Sequence, residues 1–301
     1  MAFTRATKAQ AKLRLALCGP AGSGKTFTAL TIARGLVGPT GKIAVGDSER
    51  GSASKFAGIF DFDVDNMGMD PRDTTPFAPS RYEAIITAAV KAQYDALILD
   101  SISHAWQGKG GVLEAVDNLA ARKNKGNSFM SWGGADGGTA IQNHFIDAIL
   151  SAPIHIIVTM RTKMEYIIET DLKGKMSPRR VGLAPRQRDD VEYEFDIVAN
   201  MDHAIMTVVK SRCPEMTDRV IVKPGLDLAE ELATWLSDGE RIPTPSDIAT
   251  LAERIGITPD QMGRSLQMYY GATDLAVLRP EQLTDLHARL RKASAARQQT
   301  A

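Results

Sequence analysis

Apolar positions along the chain alternate between short continuous runs and stripes at helical spacing. Leu13-Arg14-Leu15-Ala16-Leu17-Cys18 is a run of the first kind and predicts a strand. A Gly-rich turn follows it, and residues 25–36 then predict a helix. Residues 42–46 predict a second short strand that ends in Asp47-Ser48-Glu49, and 59–64 a third. Ile85, Ala88, Ala89 and Ala92 share one side of a predicted helix over 81–93. Residues 94–100 run through apolar positions into Asp100 and predict a buried strand. Helices are expected over 111–123 and 140–150, with a Gly-rich mobile loop over 127–139 between them. His155-Ile156-Ile157-Val158-Thr159 predicts another buried strand. Strands alternating with helices imply a parallel sheet covered on both faces.

The pattern changes after Arg161. Residues 166–168, 192–198, 204–209 and 220–222 read as strands of a meander, with a long loop between the first two. Residues 226–236 predict a closing helix. Gly239, Pro243 and Pro245 make 237–246 a linker. Thr258-Pro259-Asp260-Gln261 carries a capping residue, a first-turn proline and a glutamine three residues on, which marks a helix start. Leu283, Leu286 and Leu290 form an apolar stripe in a last helix. The expected fold class is α/β, with a core over 1–238 and a linker and small helical domain over 239–301. A bundle of about fifty residues is marginal alone.

Composition narrows the function classes. Formal net charge is +0 over 301 residues, so nucleic acid would have to be met by a local basic patch. The two cysteines, Cys18 and Cys213, form no disulfide framework, and a reducing compartment is expected. The five histidines are scattered and no zinc site is legible. No apolar run approaches the roughly 18 residues of a membrane span, so no membrane partner is expected. Residues 1–14 carry Arg5, Lys8, Lys12 and Arg14 without an acid and read as a basic arm of a cytoplasmic chain.

The strongest chemical signal is Gly19-Pro20-Ala21-Gly22-Ser23-Gly24-Lys25-Thr26, between a predicted strand and a predicted helix. Its glycines let backbone N–H groups curl around phosphate oxygens, and the helix offers its positive N-terminus to the same anion. Lys25 reaches the β/γ oxygens of ATP, and Thr26 places a hydroxyl on Mg²⁺. Phe27, next in the helix, is grouped with these nucleotide contacts. Asp100 ends an apolar strand at the expected ligand-binding edge and can hold the Mg²⁺ through water. Hydrolysis also needs a carboxylate that orients water. Ser101, directly after Asp100, cannot be that group. Glu49 can face the phosphates and is the candidate, with an ordinary loop acid as the alternative.

Together, GPAGSGKT, DSE and LILDS resemble the RecA-like ATPases. With HIIVTMRTK at 155–163, the chain resembles phage-encoded RecA-like or AAA-family nucleotide-binding proteins, some of them recombination or single-strand annealing proteins. The resemblance covers about 12–236. It implies that the strand over 154–159 lies between the strands bearing the P-loop and Asp100. It also implies that Thr159 or Arg161 approaches the γ-phosphate as a sensor. Arg161 and Lys163 could instead reach a neighbouring subunit's nucleotide in a homo-oligomer, or form a plain surface charge pair. No counterpart of the polymerisation segment of RecA-type filaments aligns.

Lys173, Lys175, Arg179, Arg180, Arg186 and Arg188 lie in a stretch without one acid, broken by Gly and Pro. It reads as a mobile basic loop for the phosphates of single-stranded DNA, or as a solvated loop offset by Asp189, Asp190, Glu192 and Glu194. Phe129 and Trp132 are a second, stacking candidate, and Trp106 reads as core. The expected function is a Mg-dependent ATPase that couples hydrolysis to DNA binding, with phage recombination or replication proteins as partners. The alternative is an AAA+ remodeller or helicase loader acting on a protein, against which Ser101 argues.

Overall fold

Six parallel strands make the body of the sheet. They are β1 (Arg14–Gly19), β2 (Ile43–Asp47), β3 (Asp63–Asn66), β4 (Ala96–Asp100), β5 (His155–Thr170) and β7 (Ile197–Asp202). The computed structural model describes residues 11–170, 176–239 and 242–298. With β8 (Ile205–Ser211) and β9 (Val220–Val222) the order is β3-β2-β4-β5-β1-β7-β8-β9, and a ninth strand pairs with β5 off this path. The last three strands of the expected meander are present, β7 with β8 and β8 with β9 pairing antiparallel, whereas 166–168 belongs to β5. As expected, β5 lies between β1 and β4.

The central strands are buried on both faces, and their side chains alternate between two cores. Leu13, Leu15 and Leu17 enter one cluster with Ala29, Leu30 and Ile32 of α1 (Lys25–Val37) and Leu228 and Leu232 of α6 (Leu226–Ser237). Ala16 and Cys18 enter the other, with Tyr82, Ile85 and Ile86 of α2 (Pro79–Lys91) and Phe145 and Ile149 of α5 (Gly138–Ser151). A period of two along a doubly covered strand explains why these segments read as unbroken apolar runs. Between α2 and α5 lie the short α3 (Ser103–Gln107) and α4 (Val112–Lys123).

Several boundaries differ from expectation. The third strand starts at Asp63, after a 3-10 turn at Ala53–Phe56, and Ile59 is exposed. Val191–Glu194 is a 3-10 turn, so β7 begins only at Ile197. The Gly-rich stretch after α4 contains a 3-10 turn at Phe129–Trp132 and then the first turn of α5.

The largest correction concerns the basic stretch. β5 runs on well past Thr159 and pairs antiparallel with β6 (Met176–Pro185), a hairpin where a loop was expected. Arg179 and Arg180 sit in β6 opposite Ile167 and Tyr166, and Lys173 and Lys175 fall outside the described residues. Backbone pairing between two extended arms satisfies the N–H and C=O groups that a loop would leave to water.

Three helices follow residue 242: α7 (Pro245–Arg254), α8 (Pro259–Tyr270) and α9 (Pro280–Gln298). The predicted cap is present, since the Thr258 side chain accepts from Gln261 N–H and Gln261 reaches back to Thr258 N–H. Ile248, Leu251, Leu266, Leu283, Leu286 and Leu290 share a cluster of their own.

His155, at the start of β5, accepts the Leu13 N–H through Nδ1 at 3.1 Å, which requires a neutral ring. Burial, with Lys12 and Arg14 nearby, lowers its pKa to about 3 from 6.5. The unfolded chain therefore binds the extra proton between those values, and stability falls as pH drops below about 6.5. Denaturation midpoints compared at pH 7.5 and 5 should show a smaller acid loss for His155→Asn than for the wild type.

Candidate active site

The phosphate loop joins β1 to α1 at the carboxyl edge of the sheet. Gly24 precedes the helix with φ 94°, a left-handed backbone that glycine adopts without strain, and no side chain caps α1. Its first N–H groups therefore point outward at the position where an anion binds. A Cβ at Gly19 would stand 2.4 Å from the Met201 carbonyl oxygen, so β7 closes the back of the loop. The turn after β7 supports its top, with Ala204 N–H donating to the Ser23 carbonyl at 3.1 Å. Inside the loop Lys25 Nζ donates to the carbonyls of Gly19 at 3.0 Å and Pro20 at 2.8 Å. Burial lowers the Lys25 pKa, against the charges of Asp100 and Glu49. The buried Ser23 hydroxyl has no hydrogen-bond partner among the described residues.

Asp100, buried at the end of β4, gathers two hydroxyls. Thr26 Oγ1 donates to Oδ2 at 2.6 Å and Thr159 Oγ1 to Oδ1 at 2.5 Å. Burial raises the Asp100 pKa, and the two hydroxyls oppose the shift. Thr159 thus stands beside the metal-binding candidate through β5, the neighbour of β4.

Glu49 follows β2 in a turn that Asp47 builds. Asp47 accepts the Glu49 N–H at 2.6 Å and the Ala53 N–H at 2.8 Å. Asp47 therefore shapes the turn, and Glu49 supplies the free carboxylate. Arg161 holds that carboxylate with two donors, Nε at 2.7 Å from Oε1 and Nη2 on Oε2. Burial pushes the Glu49 pKa up, but the Arg161 hydrogen bond and charge outweigh it and the net shift is downward. Glu49 is an anion at neutral pH.

One proposed member stands apart. Lys163 lines a separate groove of about 820 Å³ together with Trp106, Trp132, Gln142, Gln187 and Arg188. Trp106 is half-buried beside Trp132, ring centroids 5.7 Å apart, instead of in the core. Phe129 is exposed. Phe27 is partly exposed on α1, edge-on to Phe56 and Phe60. Arg186 N–H bonds the Arg161 carbonyl at 2.7 Å, and the Arg188 guanidinium bonds Asn143 at 2.9 Å. No role follows from the sequence for Ser48, Ser103 or His104, yet Ser48 and Ser103 touch the backbone of Asp100 and Arg161, and His104 touches Ser48. Ser103 Oγ accepts the Arg161 N–H at 2.9 Å. No local motif announces them, because each partner lies more than fifty residues away.

Residues 11–223 match the family described as the AAA domain. The chain belongs to that family. The match spans the phosphate loop, Glu49, Asp100, Thr159 and the whole nine-stranded sheet, which ends at Val222. No curated protein matches the chain. Membership makes this AAA-domain protein a nucleotide-dependent ATPase, in line with the convergence of Lys25, Thr26, Asp100 and Glu49 on one edge. Among the described residues no helix is long and apolar enough to cross a membrane.

The donor set suits Mg²⁺. A threonine hydroxyl and one carboxylate, already 2.6 Å apart, are hard oxygen ligands, and Mg²⁺ takes few protein ligands because phosphates and water supply the rest. Among the described residues no cluster of three His, Cys, Asp or Glu side chains offers a softer site.

Proposed function

We propose that this AAA-domain ATPase hydrolyses Mg-ATP with Glu49 as base and couples the cycle to single-stranded DNA, as a homo-oligomer in phage recombination or replication. One observation supports the coupling above others. β5 carries Thr159 and Arg161 at the nucleotide edge and continues, through a register shift at Glu165/Tyr166, into the hairpin whose other arm carries Arg179 and Arg180.

In this reading the P-loop N–H groups and Lys25 bind the phosphates. Lys25 exchanges its two loop carbonyls for phosphate oxygens. Thr26 and Asp100 would hold Mg²⁺, which neutralises charge on the β- and γ-phosphates when bound. Glu49 accepts the proton of the attacking water as its oxygen bonds to the γ-phosphorus and the bond to ADP breaks. Arg161 is shared: a γ-phosphate competes with Glu49 for its guanidinium, which frees the carboxylate for water. The move of Arg161 is felt along β5, so ATP and DNA bias the same strand and each alters the affinity for the other. We take 1–238 as the ATPase core and 239–301 as linker and helical unit, with recombination or replication proteins as further partners.

The test is ATP turnover with and without single-stranded DNA, together with DNA affinity across salt concentrations. Arg179→Ala/Arg180→Ala should weaken single-stranded DNA binding for all sequences, because phosphate contacts carry no base identity. The slope of log affinity against log salt should flatten by about one unit per lost contact. Equal affinity and equal slope would remove both arginines from the DNA site. Loss of turnover without DNA, with DNA binding intact, would assign them to a neighbour's nucleotide.

A further inference from the structure

The geometry points to His104 as the positioning residue of the catalytic carboxylate, acting through Ser48. This rests on the reading of Glu49 as base. Ser48 is buried between Asp47 and Glu49, and its backbone N–H donates to the Asp100 carbonyl at 2.7 Å. Its Oγ meets three groups: Ser101 N–H at 2.8 Å, the Ser101 carbonyl at 3.0 Å and His104 Nδ1 at 2.7 Å.

A hydroxyl has one proton to give. Ser101 N–H must be accepted. The Ser101 carbonyl already receives the Tyr82 hydroxyl at 2.9 Å. Nδ1 is the shortest contact, and Ser48 and His104 are linked through it whichever of the two supplies the proton. Burial and the Arg161 charge lower the His104 pKa, against the Glu49 charge, which favours an uncharged ring.

The ring is held from its other side by Phe77, centroids 4.9 Å apart. Ser48 is thereby tied to α3 as well as to the exit of β4. Glu49 is the next residue, so the direction in which its side chain leaves β2 is set by this tie. Asp47 still bonds Glu49 N–H and Ala53 N–H, and Ser48 still bonds the Asp100 carbonyl and Ser101 N–H, when His104 is removed, so the turn survives and what is lost is the tie of Ser48 to α3. Small displacements of a reacting group are expensive, up to about 10²-fold for 1 Å.

The expected result is that His104→Ala lowers kcat for ATP roughly 10- to 100-fold while KM changes less than about 3-fold, since no P-loop contact is lost. His104→Asn, whose side-chain amide can make the same hydrogen bond to Ser48, should recover most of the rate. His104→Phe keeps the stacking on Phe77 without an acceptor, and should behave as His104→Ala even where the alanine variant folds poorly. Ser48→Ala, which also removes both contacts to Ser101, should fall at least as far, and adding His104→Ala to it should cost little more, because the link to His104 is already gone. Wild-type kcat in folded His104→Phe overturns the assignment, as does a double variant whose loss is the product of the two single losses. Glu49→Gln measured alongside separates the two readings. If it hydrolyses normally, the role of Glu49 fails; if it is inactive while His104→Phe is fully active, only the role of His104 fails.

Discussion

Lys25→Ala should bind ATP roughly 100-fold or more weakly and show no measurable turnover, because each charge-assisted hydrogen bond to phosphate contributes about 1.5–3 kcal/mol and at least two are lost. The ammonium group is the cation aimed into the loop. It donates to the Gly19 and Pro20 carbonyls, both on the rim of the same concavity. Alanine removes both of these contacts, and Ser23 N–H remains on the Pro20 carbonyl, so the loop loses some organisation as well as charge. Calorimetric titration with ATP and a turnover assay on one preparation read both effects. Wild-type turnover in the variant would remove the loop from the catalytic site.

Glu49→Gln should separate binding from chemistry. The amide keeps the side chain's shape and can still accept one hydrogen bond from Arg161, yet it cannot take a proton from water. Turnover should fall by about 10²–10⁴, the usual contribution of a positioned acid–base group. ATP affinity should stay within a few-fold, because Glu49 makes no phosphate contact in this arrangement. Folding should change by no more than about 1 kcal/mol, since the pair with Arg161 is partly open to solvent and screened. Single-turnover measurements with saturating enzyme distinguish lost chemistry from lost binding. Normal hydrolysis by Glu49→Gln would send the search for the base to another carboxylate.

What could be read from the residues follows from how local the cause is. β1, β4 and β5 were legible because burial on both faces writes a continuous apolar run. The phosphate loop was legible because backbone curvature requires glycines at fixed spacing. The start of β7 was misplaced because Val191-Glu192-Tyr193-Glu194 alternates like a strand, yet it folds as a 3-10 turn that buries Val191. The β5–β6 hairpin was read as a loop because Gly174, Pro178 and Gly182 suggested turns, while strand pairing depends on what lies opposite. The Glu49–Arg161 pair spans 112 residues and the Ser48–His104 contact 56, so no window of sequence contains either. Glu49 itself was chosen by elimination at Ser101, and the structure places its carboxylate on the same edge as Asp100.

The position of β1 in the sheet has a consequence for how the protein is made. It leaves the ribosome well before its two neighbours, β5 and β7. Leu13 waits 142 residues for His155, and Arg14 waits 182 residues for Asp196. At about 5–20 residues per second, translation takes on the order of ten to forty seconds to deliver the second neighbour. Until β5 emerges Leu13, Leu15 and Leu17 have no strand on either side, and until β7 emerges they have one on one side alone. The phosphate loop at the end of β1 cannot take its shape either, because β7 forms its back. A ribosome-held chain that stops short of β7 should therefore fail to retain ATP, and the growing chain passes most of its synthesis as a client for chaperones before it becomes an ATPase.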